Sequence, residues 1–271
     1  MRIGVVAPSS PLSAGTADRV IAIAAASCPG VTLHFHPQCF LAHNHFAGPD
    51  EVRADAFVDY ANDPEIDAIW FARGGYGACR IAETAIERLG DAARGKAYLG
   101  YSDAGFLLAG LYRAGFPRLA HGPMPQDVHR DGGDMAVLRA LSWLAGCSPV
   151  GMEAAPGDGK AVAFNLTVFS QLLGTALEPD LEDHVLMLEE VSEYMYRIDR
   201  SMFHVASNFA DRGLSGIRLG RCSDVLANDP DFGETEEQVV RFWCRHAGIP
   251  YLGRADIGHD ADNKIVPFGS S

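Results

Sequence analysis

The stretch Tyr98-Leu99-Gly100-Tyr101-Ser102-Asp103-Ala104-Gly105 decides how this chain is read. An apolar run ends at Gly100, turns at Ser102, and passes at once into a helical pattern over 103–114. A tight turn between a strand and the helix that follows it pushes a serine hydroxyl into solvent at the carboxyl edge of a sheet. The backbone can turn so sharply only between small residues. Gly100 and Ala104 meet that need, although Ala104 departs from strict G-x-S-x-G spacing. The same residues also read as an ordinary cap, because Ser and Asp are favoured at helix N-termini.

Working outward, β-rich runs at 2–7, 31–36, 67–72, 96–100 and 118–121 alternate with helical patterns at 14–27, 50–61, 76–89, 103–114 and 131–144. That rhythm predicts right-handed β-α-β crossovers and an α/β fold with a mainly parallel sheet covered on both faces. Ala68-Ile69-Trp70-Phe71 is apolar without alternation, as a doubly buried strand should be. Beyond Cys147 the composition shifts to Ser-Pro-Val-Gly and Ala-Pro-Gly-Asp-Gly, which is turn and linker chemistry. The division expected is therefore 1–147, a linker over 148–162, and a second α/β domain over 163–271. In that second part, helices are expected near 165–173, 196–212 and 234–246, with strands at 184–188, near Ile217 and Val225, and a tail closing on 264–267.

A second turn, Ala72-Arg73-Gly74-Gly75-Tyr76-Gly77, also leaves the carboxyl end of a strand, so its backbone N–H groups suit an anion or half of an oxyanion hole. It lacks the G-x-G-x-x-G dinucleotide fingerprint. In a parallel sheet this turn and Ser102 face one site.

A serine nucleophile needs a base, and ten histidines compete. His34 and His36 share a strand face and His43 and His45 follow in a loop. They could hold a metal, but no acidic ligand sits beside them at helical spacing, so packing or surface roles are the simpler reading. His259 lies in the polar glycine turn Ala255-Asp256-Ile257-Gly258-His259-Asp260, where an imidazole can swing toward a cleft or simply be exposed. Glu189 ends the apolar strand Val185-Leu186-Met187-Leu188 and is the natural acid to orient that imidazole. Its neighbour Glu190 points to the other face, and both also read as a solvated strand end.

Composition narrows the function classes. The 271 residues carry 22 Lys+Arg against 35 Asp+Glu, a formal net charge of -13 that repels phosphodiester backbones and anionic lipid, so neither nucleic acid nor membrane is the expected partner. No run approaches the roughly 18 apolar residues of a bilayer-spanning helix, and the N-terminus shows no secretory pattern, so the expected location is cytoplasmic. The six cysteines include no C-x-x-C pair and read as reduced, mostly buried thiols.

Taken together, these stretches resemble the LD-carboxypeptidase family of serine peptidases, which also includes the microcin C immunity peptidases. The resemblance runs nearly end to end: Gly4-Val5-Val6-Ala7-Pro8-Ser9, Ala72 to Gly77, Gly100-Tyr101-Ser102-Asp103, His121-Gly122-Pro123-Met124, Leu188-Glu189-Glu190-Val191 with Tyr196-Arg197-Ile198-Asp199-Arg200, and Gly258-His259 followed by Pro267-Phe268-Gly269. It implies an N-terminal flavodoxin-like domain, a smaller C-terminal α/β domain and an active site at their junction. It implies a Ser102-Glu189-His259 triad, with the backbone N–H groups of Gly75 and Asp103 as oxyanion donors. The implied reaction is removal of the terminal D-alanine from cytoplasmic murein tetrapeptides in peptidoglycan recycling, without metal or organic cofactor. Arg73 is a candidate for the substrate carboxylate by position, and the family often forms dimers. The chain departs from the family at Ala163-Phe164-Asn165, where two glycines often precede the asparagine, and at Glu190, usually aspartate in the cell-wall enzymes. Two other readings remain: an immunity-type peptidase cleaving aminoacyl-nucleotide amides, and a non-catalytic small-molecule binding module.

Overall fold

Every side chain of Ala68–Phe71 is buried in the computed structural model, which describes residues 1–146, 151–153 and 159–269. A strand with no polar position must be covered on both faces. The Trp70 indole N–H, the one side-chain polar group in it, donates to Pro123 O at 2.8 Å. This strand, β3, is preceded by β1 (Arg2–Val6) and β2 (Thr32–Phe35) and followed by β4 (Ala97–Gly100) and β5 (Leu119–His121). They pair in parallel in the order β5-β4-β3-β1-β2. That is the flavodoxin-like doubly wound order, with its reversal between β1 and β3.

Helices α1 (Ala14–Ser27) and α2 (Asp50–Asn62) flank this sheet, followed by the short α3 (Ala82–Ile86) and α4 (Asp91–Arg94), then α5 (Gly105–Arg113) and α6 (Gly133–Leu144). Ser13 caps α1 by accepting from the Thr16 N–H. One apolar cluster joins Val5, Trp70 and Leu99 to Val20 of α1 and Leu141 of α6. On the other face Phe71 and Tyr98 join Phe57 of α2 and Leu107 of α5.

That second cluster continues without a break into a second sheet. Strands β6 (Lys160–Asn165), β7 (His184–Val191), β8 (Gly216–Ser223) and β9 (Tyr251–Arg254) are all parallel, in that order. They are interleaved with α7 (Leu166–Leu172), α8 (Met195–Phe209) and α9 (Glu236–Ala247). The chain then returns: β10 (Val266–Pro267) pairs antiparallel with β5, and Gly269 exchanges backbone hydrogen bonds of 2.9 and 3.0 Å with Ala161 of β6. The last residues described thus tie the two sheets together, which a short return over 264–267 only hinted at. The α/β class and the two-sheet architecture agree with the sequence reading.

Several elements differ from expectation. The helix expected over 76–89 is delayed, because Gly77 turns at φ 133° and its carbonyl accepts from the buried Arg53 guanidinium at 2.9 Å. A 3-10 turn (Ala78–Arg80) and α3 take its place. Strands β6 and β9 were not expected; the first begins inside the segment assigned to the linker, and the second is only four residues long with a glycine inside it. Val225 lies outside β8. Residues 147–150 and 154–158, which include Cys147 and much of that linker, lie outside the described residues. Of the other five cysteines, Cys39 and Cys244 are buried and Cys28, Cys79 and Cys222 only partly so.

Phe164 of β6 sits where the two sheets share their core, fully buried with its ring 5.2 Å from both Phe169 and Phe268. Phe164→Ala should therefore cost about 3–5 kcal/mol of stability, read as a lower midpoint in urea unfolding. A loss below about 1 kcal/mol would mean that the junction is not tightly packed.

Candidate active site

Ligands of open α/β sheets bind beyond the carboxyl ends of the strands, where strand order reverses. Here the turns that follow β1, β3 and β4 meet at that point. The Ser10 N–H donates to Gly74 O at 3.4 Å. The buried Asp103 carboxylate binds all three turns through one oxygen, Oδ2, which accepts from Ser9 Oγ at 2.5 Å and from the Ala78 N–H at 2.8 Å. Burial pushes the Asp103 pKa up, against the pull of those hydrogen bonds.

Ser102 has φ 57°, in the left-handed region, at a cost of about 1–2 kcal/mol for a residue with a Cβ. It is partly exposed, whereas Tyr101 and Asp103 on either side are buried. The turn leaves no room for larger neighbours. A Cβ on Gly100 would lie 2.8 Å from the Phe71 ring, and one on Gly74 would lie 2.8 Å from Ser102 Oγ. Gly75 has φ 116°, and a Cβ there would lie 2.2 Å from Ser10 Oγ. Neither the Gly75 N–H nor Ser102 Oγ has a hydrogen-bond partner among the described residues. The Asp103 N–H lies in the first turn of the 3-10 segment Ser102–Ala104, where N–H groups lack intrahelical acceptors. A strained backbone held by packing, with spare N–H donors beside an exposed hydroxyl, is the geometry expected of an acyl-transfer site.

The second sheet supplies charge. Glu189, near the end of β7, has no exposure at all, and its Oε2 lies 2.6 Å from His259 Nδ1. Its Oε1 is buried without a partner. Burial lowers the His259 pKa, but the Glu189 carboxylate, through its charge and hydrogen bond, lifts it net above the ordinary value of 6.5. Nδ1 is taken by Glu189, and His259 and Ser102 line one cavity. The turn carrying His259 is braced from below, because Arg221 binds both Asp256 and Asp260. The Gly258 N–H donates to Asn263 Oδ1 at 3.1 Å.

Tyr101 packs its ring 4.7 Å from the His259 ring and donates its hydroxyl to Asp127 Oδ1 at 2.8 Å. Arg130 Nε donates to the same oxygen at 2.8 Å. His121 packs against the other side of Tyr101, its pKa lowered to about 4 by burial, so it is neutral there and bonds Asn263 Oδ1 at 3.1 Å. The sequence reading quoted Tyr101 and His121 only within motifs and passed over Asp127 and Arg130. The signal available was an Asp and an Arg three apart directly after the carboxyl end of a buried strand.

Two cavities meet at Ser102. One, of about 220 Å³, is lined by Arg73, Tyr101, Gln126, Asp127, Arg130 and His259. The other, of about 310 Å³, is lined by Tyr76, Phe106, Asn165, Thr167, Glu190 and Glu193 among others. Glu190 is not a solvated strand end. It is buried and accepts from Asn165 Nδ2 at 2.7 Å, the Thr167 N–H at 2.9 Å and Thr167 Oγ1 at 2.6 Å. Arg73 is exposed at the rim and donates to Pro11 O at 3.1 Å. Away from the site, His34 accepts from Arg2 Nε, and His36 Nδ1 accepts from the Gln38 N–H. Among the described residues no group of three or more His, Cys, Asp or Glu side chains is placed to hold a metal ion. No helix among them is long and apolar enough to cross a membrane.

Comparison with known proteins places both halves of the chain in one family. Residues 3–122 match the LD-carboxypeptidase N-terminal domain and residues 158–271 the LD-carboxypeptidase C-terminal domain. A putative carboxypeptidase of Synechocystis is 32% identical over 250 residues, 84% of this chain and 77% of that one. The murein tetrapeptide carboxypeptidase of Pseudomonas aeruginosa is 26% identical, over 100% of this chain and 92% of its own. The crystal structure of muramoyltetrapeptide carboxypeptidase from Oxalobacter formigenes superposes with a TM-score of 0.82 at 21% identity, covering 99% of this chain and 93% of that one. With both halves matched in order around a single cleft, the chain belongs to the LD-carboxypeptidase family of peptidases.

Proposed function

We propose that this protein is a cytoplasmic serine carboxypeptidase that releases the terminal D-alanine of murein tetrapeptides, with Ser102 as nucleophile, His259 as base and Glu189 as the acid that orients it. The observation that carries the reading is the meeting of a left-handed, partly exposed serine with a histidine whose other nitrogen is fixed by a fully buried carboxylate. In the same reading residues 1–147 and 163–271 are the two domains, so the nucleophile and its partners come from opposite sides of the junction.

In the proposed chemistry, His259 Nε2 removes the Ser102 hydroxyl proton as Oγ attacks the carbonyl carbon of the scissile amide. The carbonyl oxygen becomes an oxyanion, held by the Gly75 and Asp103 N–H groups, each donor worth about 3 kcal/mol. The imidazolium then gives its proton to the leaving amine, the C–N bond breaks, and free D-alanine departs. Water attacks the acyl-enzyme by the same route and restores Ser102. Glu189 favours the tautomer with Nδ1–H and stabilises the imidazolium. The hydrogen bond between Ser102 and His259 that this step uses forms with substrate in place, as such catalytic hydrogen bonds often do. The substrate carboxylate is met by a cation of the cavity that holds His259, where Arg73 and Arg130 both lie.

Incubation with a purified tetrapeptide muropeptide should give the tripeptide by mass, with the same yield in EDTA. Ser102→Ala should lower turnover by at least about 10⁴-fold with the circular dichroism spectrum unchanged. Cleavage of an aminoacyl-nucleotide amide in place of the muropeptide would move the chain to the immunity-type activity, and cleavage of neither, with no labelling of Ser102 by a fluorophosphonate probe, would favour a binding module.

The base must be neutral to act, so kcat/KM should rise with pH through the His259 pKa, with a midpoint above 6.5. Glu189→Gln removes the charge that opposes burial, so the midpoint should move below 6.5 while the plateau falls roughly 10²–10⁴-fold. A midpoint unmoved by Glu189→Gln would dissociate the observed ionisation from His259.

A further inference from the structure

The two cavities that meet at Ser102 differ in the charged side chains that line them. The larger is lined by Asp103, Glu190 and Glu193, with no Lys, Arg or His among its lining residues. The smaller, on the His259 side, is lined by Arg73 and Arg130, with Asp127 beneath them. Its volume of about 220 Å³ falls below the roughly 300–1,000 Å³ of pockets for drug-sized ligands, so its occupant is small. A base that takes the serine proton must return it to the leaving amine, so the leaving group occupies the cavity that His259 lines.

Of the two arginines, only Arg130 is pre-oriented. Its Nε is bound to Asp127 Oδ1 at 2.8 Å, and one terminal nitrogen, Nη2, lies 3.4 Å from the Tyr101 hydroxyl. The other terminal nitrogen, Nη1, has no partner among the described residues. Asp127 cannot swing away, because Tyr101 also donates to its Oδ1 and the Met124 N–H donates to its Oδ2 at 2.8 Å. The side chain of Arg130 is 35% exposed and that of Asp127 4%, so the pair presents a cation to the cavity and keeps its anion behind. Arg73, by contrast, is exposed at the rim and held only by a backbone carbonyl.

We propose that Arg130 is the seat of the substrate's free α-carboxylate, and that the charge difference across Ser102 fixes the direction in which a peptide lies. This rests on the serine-peptidase reading above. The carboxylate of the leaving residue docks on the free edge of the Arg130 guanidinium through charge-assisted hydrogen bonds. The same carboxylate is repelled from the acidic cavity, which receives the acyl part. Arg130 thereby makes the enzyme act only at a chain end, because a continuing peptide has no carboxylate there.

The test compares two substrates, an acyl peptide ending in D-alanine and the same peptide ending in D-alaninamide, on wild type, Arg130→Met and Arg73→Met. For the wild type, amidation should lower kcat/KM about 100-fold, since a charge-assisted hydrogen-bonded pair is lost. Arg130→Met should cleave the acid no faster than the wild type cleaves the amide, and amidation should then cost it less than about 3-fold. Arg73→Met should keep most of the wild-type ratio. If Arg130→Met does not fold, Arg130→Lys carries the test. It keeps a cation beside Asp127 but cannot form the fork, so the acid-to-amide ratio should shrink about tenfold. A wild-type ratio in either Arg130 variant, or its loss in Arg73→Met alone, overturns the assignment and leaves the peptidase reading standing. A wild type that cleaves neither peptide removes both.

Discussion

The 2.6 Å contact between His259 Nδ1 and Glu189 Oε2 joins a turn after β9 to the end of β7, with the carboxylate wholly buried. An ionised carboxylate so buried is tolerable only with a cation or several donors nearby. Here one oxygen has a single partner and the other none. The carboxylate is therefore under-satisfied, and the protein relieves this most cheaply by making His259 readier to hold a proton. The same imbalance that burdens the fold raises the basicity of the imidazole, and the cavity inherits a base near Ser102 without any further device.

The two sheets contribute different kinds of strain to this arrangement. The first sheet stores it in the backbone: Ser102 at φ 57°, Gly75 at φ 116°, and turns so close that the Gly74 site cannot take a methyl group without meeting Ser102. The second stores it as buried carboxyl groups, in Glu189 and Glu190, successive residues of β7. Neither is stable by itself, and both persist because the surrounding packing over-determines them. The continuous core through Phe164 and the Gly269–Ala161 hydrogen bonds hold the sheets in one register, so the hydroxyl and the imidazole keep to one cleft.

The sequence made the first sheet legible because its strands are short, mostly apolar and separated by helical patterns, and because Gly and Ser punctuate the turns. Ser102 could be located for the same reason: a strand, a small residue and a helix start coincide within five positions. The second half was harder. Strand β6 follows a Pro/Gly-rich run and β9 alternates exposure over four residues, so neither stands out by period. His259 was one histidine of ten until the resemblance singled it out, because nothing local distinguishes a turn histidine that meets a buried acid from one that meets water. Glu190 shows the limit most clearly. Two adjacent acids at a strand end look solvated, and only the tertiary fold brings Asn165 and Thr167 over the second one. The pairing of Asp127 and Arg130 with Tyr101 likewise depends on β4 and β5 lying side by side.

Glu189 and Glu190 also show how one strand serves both halves of the cleft. Neighbouring residues on a strand project to opposite faces, and the register with β8 shifts between Leu188 and Glu190. Glu189 meets the imidazole, while Glu190 ties Asn165, the N-cap of α7, and Thr167 to the floor of the larger cavity. Burial, with Glu189 as a like charge beside it, raises the Glu190 pKa. A carboxyl group whose pKa is higher folded than unfolded adds stability at low pH and withdraws it as pH rises through the folded value. Once ionised, Glu190 therefore works against the fold, while its hydrogen bonds from Asn165 and Thr167 and the packing of Phe164 on Phe169 hold α7 in place. Glu190 is thus a structural group of the larger cavity: the carboxyl that lines it also anchors its wall through Asn165 and Thr167.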